Sequence, residues 1–217
     1  LTPDSSVKCP PKVTVNGRKF SNYSDYPRNH MGRIAFRTAL AQSCNTAFIG
    51  QRRKIEGFAL RDAAVALGFG TDYDVGFPSF FGSVPDDQSP TGHAAAIIGQ
   101  GKVEASPMAM AAVAASVAAG ETVIPHLIDG TEVASKGKPL TAKEARQLRQ
   151  MMRGVVTEGS GRVLGNLKGP AVMAKTGTAE YGASKPLKTH AWMIAMQGDL
   201  AVAVFVNDGK SGSGTAG

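Results

Sequence analysis

Two short stretches hold side chains whose types and spacing suit chemistry: Lys175-Thr176-Gly177-Thr178 and, far upstream, Ser43-Cys44-Asn45. Lys175 supplies a positive charge or, where burial lowers its pKa, a proton carrier. Thr176 and Thr178 offer hydroxyls to a carboxylate or an amide. Gly177 removes a side chain, so a ligand backbone can approach, and backbone N–H groups there can stabilise a developing oxyanion. A lone Lys-Thr-Gly also arises by chance, as a surface lysine beside a turn glycine. Ser43 and Asn45 point roughly 200° apart on a continuous helix, so they share a target only if the helix breaks between them. Asn45 suits the N-cap of a second helix running through Phe48. Taken by itself, this segment reads more simply: Asn45 caps and Ser43 ends a helix.

The strand that carries Lys175 belongs to a distinct C-terminal pattern. "AVMAKT" is short and apolar, and "HAWMIAMQ" and "LAVAVFVN" are β-rich runs separated by Gly198-Asp199, a hairpin signal. Three antiparallel strands are expected. Strict alternation puts Thr176 and Thr178 on one face and Lys175 on the other. All three serve one ligand only if it lies along the strand's edge, as an added extended peptide does. Upstream the chain is helical. Periodicity starts near Arg33, with Ile34, Ala39 and Leu40 as apolar contacts. A helix over 60–67 ends at Gly68. "SPMAMAAVAASVAAG" has Ser106 as N-cap, Pro107 at the first position and Gly120 as terminator, and is apolar nearly all round, hence buried. Thr141 with Glu144 forms a capping box for a helix striped by Ala145, Leu148, Met152 and Val155. The first thirty residues read as loops and turns. The Gly- and Pro-rich segment 69–101 reads as a lid or wall of a site. Helices before strands give a sheet covered by helices.

Composition narrows the classes. With 24 Lys+Arg against 17 Asp+Glu the net charge is +7, but the basic residues are scattered, which argues against nucleic-acid binding. Cys9 and Cys44 sit in no metal-ligand spacing, so no zinc site is expected. Spacing does not decide whether they pair, and the reading taken is two unpaired small hydrophobes. No run approaches the roughly 20 apolar residues of a membrane span. His93, His126 and His190 lack partners at metal or triad spacing and read as structural. Gln100 reads as a loop organiser and Trp192 as core or wall. No cofactor is expected.

Ser-x-x-Lys, Ser-Asp-Asn and Lys-Thr-Gly form the three-part set of penicillin-binding proteins and class A β-lactamases. Ser43–Asn45 matches the second part in the form Ser-x-Asn, with Cys44 in the middle place, and Lys175–Gly177 matches the third, in the expected order. "ALAQSCNTAF", "IIGQGKVEASPMAMA", "MMRGVVTEGSG", "AKTGTAE" and "HAWMIAM…DLAVAVFVND" resemble blocks of class B penicillin-binding proteins over most of 34–208. The resemblance implies a mixed α and β fold, an antiparallel sheet with helices on both faces (α/β/α), here a partial domain over 1–217, incomplete at both ends. It implies a serine D,D-transpeptidase that cross-links peptidoglycan stem peptides and is acylated by β-lactams. It also implies cell-wall synthesis partners and an extracytoplasmic place at the bacterial membrane, anchored through an N-terminal segment. Ser43 would shuttle a proton and Asn45 would bond the acyl side-chain amide. Lys175 would hold the field and its bond to Ser43. Thr176, Gly177 and Thr178 would form the substrate edge, with the two threonines binding the substrate carboxylate and the Thr178 N–H forming half of an oxyanion hole.

A Ser-x-x-Lys stands at Ser5-Ser6-Val7-Lys8, but Pro10 and Pro11 block the helix such a motif needs. The expectation is that the nucleophile lies upstream of Leu1 and that this chain alone is inactive. Two alternatives are a serine β-lactamase and a non-catalytic β-lactam sensor or degenerate wall-binding module. A class A β-lactamase needs Glu-x-x-Leu-Asn, and none of Glu56, Glu104, Glu121, Glu132, Glu144, Glu158 and Glu180 begins one.

Overall fold

The computed structural model describes residues 1–55, 58–86, 89–130, 133–183 and 186–217, so Glu56 and Glu132 lie outside the described residues. The C-terminal third is the expected meander. Strands β5 (Met173–Tyr181), β6 (Lys188–Gln197) and β7 (Leu200–Val206) form a sheet in that order, all antiparallel. Gly198 turns the hairpin with φ +61°. Among the described residues β5 is therefore an edge strand, and the outer side of its Lys-Thr-Gly-Thr run pairs with no strand.

Helices cover both faces, as the resemblance implied. Helix α5 (Pro107–Ala119) packs Ala114 and Val117 against Ile194, Met196, Ala201 and Ala203. On the other face Val172, Ala174, Ala191 and Met193 meet Val156 of helix α6 (Ala142–Thr157) and Ala216 beside the short helix α7 (Gly212–Thr215). The ends of α5 are as expected. The Ser106 side chain accepts from the Ala109 N–H, Pro107 opens the helix, and Gly120 closes it in the left-handed region. The Thr141–Glu144 capping box of α6 is complete.

The N-terminal region departs from expectation. The stretch read as loops contains three four-residue strands, β1 (Ser6–Cys9), β2 (Lys12–Val15) and β3 (Arg18–Ser21). β2 and β3 pair through a tight turn at Asn16-Gly17, both with positive φ. Asn-Gly between short alternating runs is a strong hairpin signal. The helix expected from Arg33 starts later. Gly32–Ala35 is strand β4, paired with β1, and helix α1 is Phe36–Ala41. Ile34 is thus a strand residue whose apolar side faces Val7 across the ladder, and only Ala39 and Leu40 are helical contacts.

The reading of Cys9 and Cys44 as unpaired is wrong. They form a disulfide, with Cα atoms 6.2 Å apart. Both are fully buried in one cluster with Val7 and Tyr26. The pairing of β1 with β4 brings Cys9 beside the start of helix α2 (Asn45–Gly50), a proximity that spacing in the chain does not reveal.

Helix α3 (Ala59–Val65) stops two residues short of the expected end, with Gly68 left-handed behind it. The segment 69–101 is mostly irregular but contains helix α4 (Pro90–Ala96), capped by Ser89. Its Phe81 is fully buried against Tyr73 and therefore core, whereas Phe80 is exposed.

Candidate active site

The helix does break at the Ser-x-Asn motif. α1 ends at Ala41, α2 begins at Asn45, and Ser43 between them has φ +56°. A serine in the left-handed region costs on the order of 1 kcal/mol and persists only where the surroundings over-determine it. Here the Ser43 N–H bonds Leu40 O, the Cys44 N–H bonds Ala39 O, and Cys44 is tied to Cys9. The simpler reading of this segment fails. Cys44, not Asn45, occupies the N-cap position, and the Asn45 side chain makes no capping bond. Its Nδ2 donates to Ser21 O at 3.3 Å, and the side chain borders the same cleft as Ser43.

Lys175 Nζ donates to Ser43 Oγ at 2.9 Å and to Thr176 O at 2.7 Å. The alternation problem is thereby resolved. The long side chain leaves one face of β5 and curls round the free edge to its neighbour's carbonyl. Burial without an acidic partner disfavours the ammonium and lowers its pKa from 10.5 to about 8. Such a lysine is poised between holding charge and carrying a proton near neutral pH.

Thr176 and Thr178 point the other way, into a cleft of about 960 Å³ bordered also by Gln100, Ser160, Arg162 and Ser211. The Thr178 hydroxyl accepts from the Gly212 N–H at 3.1 Å, which leaves its own proton to donate. The Thr178 carbonyl accepts from Gln100 Nε2 at 3.0 Å. That carbonyl therefore lies on the outer side of β5, and the N–H of the same residue faces the same side. Gly177 is the inward-facing member, opposite Trp192. A Cβ on it would come within 3.1 Å of Trp192 Cβ, so the glycine makes room for a cross-strand tryptophan as well as baring the strand.

Gln100 organises more than its loop, because it ties 99–101 to the edge of β5. Within the segment expected to form a wall, Ile98 and Gln100 do border the cleft. Ser160 was missed. Its Oγ lies 2.5 Å from Thr176 Oγ1, and the only hint in the sequence is a serine between two glycines in "EGSGR". His190 stacks on Tyr181 with ring centroids 3.8 Å apart, and His93 and His126 do not border the cleft. Among the described residues no group of three or more His, Cys, Asp or Glu is placed to hold a metal ion.

Ser5–Lys8 is not a helical Ser-x-x-Lys. Ser6 to Lys8 belong to β1, and neither Ser5 nor Lys8 borders the cleft. A second Ser-x-x-Lys, Ser135 to Lys138, lies in irregular, mostly exposed chain, where Lys136 Nζ donates to Asp72 O.

The chain is similar in sequence and fold to known proteins. The chain is 30% identical to peptidoglycan D,D-transpeptidase PbpA of Mycobacterium tuberculosis, over 96% of this chain and 46% of that protein. PbpA of Mycolicibacterium smegmatis is also 30% identical, over 87% of this chain and 42% of its own. Penicillin-binding protein A from M. tuberculosis, solved as a ceftriaxone acyl-enzyme, superposes with a TM-score of 0.86 at 26% identity, covering 100% of this chain and 54% of that one. The chain thus spans about half the length of the relatives it matches. Residues 1–217 match the model of the penicillin-binding protein transpeptidase domain throughout, and the chain belongs to that family.

Proposed function

We propose that the whole protein is a peptidoglycan D,D-transpeptidase and a β-lactam target, with these 217 residues forming the Ser-x-Asn and Lys-Thr-Gly walls of its site. The contact that carries the reading is Lys175 Nζ to Ser43 Oγ at 2.9 Å, which joins the two motifs at one strand edge. An attacking serine, carried by a Ser-x-x-Lys segment outside these residues, adds to the carbonyl of a D-Ala-D-Ala bond. Its proton passes through the Lys175–Ser43 pair to the departing amine, and the C–N bond breaks to leave an ester on the serine. An acceptor amine then attacks the ester, gives up its proton along the same route, and releases the serine. The Thr178 N–H forms half of the oxyanion hole. Asn45 bonds the acyl side-chain amide, and the hydroxyls of Thr176 and Thr178 bind the substrate carboxylate. The donor peptide lies along β5 as an added strand. The protein works at the extracytoplasmic face of a bacterial membrane, held by a segment outside these residues, among other cell-wall synthesis proteins. Among the described residues no helix is long and apolar enough to cross a membrane.

A fluorescent penicillin tests this. Full-length protein should retain covalent label through a denaturing gel and lose it slowly, whereas the 217-residue chain should take none. No label on the full-length protein would favour a degenerate module. Rapid loss would favour a β-lactamase, and label on the short chain would mean that it carries a nucleophile of its own.

A further inference from the structure

We propose that Gln100 is the protein's own stand-in for a ligand amide. Its carboxamide closes the edge of β5 at the Thr178 carbonyl, and a ligand that brings an amide N–H must displace it; this rests on the transpeptidase reading above. Gln100 Nε2 donates to the Thr178 carbonyl at 3.0 Å, from a residue 78 positions away in the chain, and both residues border the cleft. The Thr178 carbonyl and N–H face outward together. A strand added antiparallel there places one ligand residue opposite Thr178, accepting from its N–H and donating its own N–H to its carbonyl. The residue under attack is that one, because its carbonyl oxygen is the one held by the Thr178 N–H. Its amide N–H is therefore directed at the oxygen that Gln100 already holds. A primary carboxamide carries the same kind of N–H donor as a peptide group, so the two compete like for like.

The backbone under Gln100 is fixed, and the side chain is not. The Gln100 N–H donates to Ala95 O and the Gly99 N–H to Ala96 O, each at 2.9 Å. With Gly99 left-handed at φ +70°, these are the two bonds of a Schellman cap that closes α4. A Cβ on Gly101 would fall 3.2 Å from Ala95 Cβ, so the turn lies close against the helix. Among the described residues the bond to Thr178 is the one hydrogen bond of the Gln100 side chain. That side chain can therefore swing off the strand without moving the cap. Until a ligand adds to the edge, Gln100 keeps the carbonyl paired. A ligand with an amide N–H breaks this bond and replaces it, whereas a ligand without one leaves it in place.

The test uses the full-length protein as wild type, Gln100→Met and Gln100→Ala. Second-order acylation rate constants are measured with two β-lactams. Benzylpenicillin carries a secondary amide N–H beside its β-lactam carbonyl, and imipenem carries a hydroxyethyl group there. Both substitutions should raise the benzylpenicillin rate by roughly two- to tenfold, the range of one net hydrogen bond that no longer has to be broken. The imipenem rate should not rise, so the ratio of the two rates should increase. A glutamine that only held the wall of the cleft would, on removal, slow both ligands. Equal changes on the two ligands, or a benzylpenicillin rate that falls, overturn the proposal. An unchanged benzylpenicillin rate also overturns it, by showing that the carbonyl serves both donors at once. Should one variant not fold, the other carries the same comparison. A wild type acylated by neither compound overturns the transpeptidase reading and this proposal with it. A wild type acylated by both, with a ratio that neither substitution moves, overturns this proposal alone.

Discussion

Lys175 carries the largest electrostatic cost in the site. Its folded pKa of about 8 lies below the 10.5 of the unfolded chain because burial penalises the ammonium. Below pH about 8 the lysine is charged in both states, and the folded state bears the full penalty, on the order of 3 kcal/mol. Between about 8 and 10.5 the unfolded chain binds more protons than the folded one, so stability rises with pH and the penalty disappears. Lys175→Met should remove this rise. Urea midpoints of the two proteins at pH 7, 9 and 10.5 check it, read as the difference between them because other lysines titrate in both. A difference that stays flat through this window would show that the ammonium is not desolvated. The same substitution deprives Ser43 of its partner, so the acylation rate of the full-length protein should fall by 10²-fold or more, the scale of a lost proton carrier.

At the scale of elements, the break between α1 and α2 brings Ser43 and Asn45 to the same cleft, and a disulfide lies at the break. Cys44 stands between them and is tied to Cys9 on β1, with Thr46 Oγ1 donating to Pro10 O at 2.6 Å beside it. The bridge spans a separation of 35 residues, and a cross-link of that size contributes about 3–4 kcal/mol by restricting the unfolded chain. The double variant Cys9→Ser/Cys44→Ser should lose about that much, measured by urea unfolding, and reductant should reproduce the loss in the wild type and leave the variant unmoved. Local chemistry marked some elements in the sequence and hid others. The Ser106, Pro107 and Gly120 punctuation of α5 and the Gly198-Asp199 turn each act within a few residues, so both elements were readable. β1 and β4 are four-residue strands without a periodic run, and each exists because the other pairs with it. The local pattern at Arg33 and Ile34 for that reason resembles a helix start, and the Cys9–Cys44 partnership, which depends on β1, leaves no local signal. At the candidate site, Ser43, Asn45 and Lys175 were legible as a constellation because motif types are local, whereas the contact between Lys175 and Ser43 depends on the fold. Ser160 escaped because its meaning lies wholly in where α6 ends against α1.

Over the whole molecule, the helices that pack on the sheet through apolar clusters are joined at the cleft by a few polar contacts to one strand. Lys175 reaches Ser43, Gln100 reaches the Thr178 carbonyl, and Thr176 meets Ser160, all along residues 175–178 of β5. An edge strand clasped in this way from several elements should behave as one unit, because displacing it at one contact shifts the geometry of the next. The expectation is non-additivity. Ser43→Ala and Gln100→Ala should each cost about 1 kcal/mol of stability, and the double variant should depart from their sum by at least about 0.5 kcal/mol. Urea unfolding of the four proteins in the cycle measures this directly. Additivity within about 0.3 kcal/mol would mean that the two clasps act independently and that β5 is held in place by its pairing with β6 and its packing against α6. Coupling would mean that the cleft walls close on the strand together, so that a ligand adding to the edge and displacing Gln100 from the Thr178 carbonyl also alters the bond between Lys175 and Ser43.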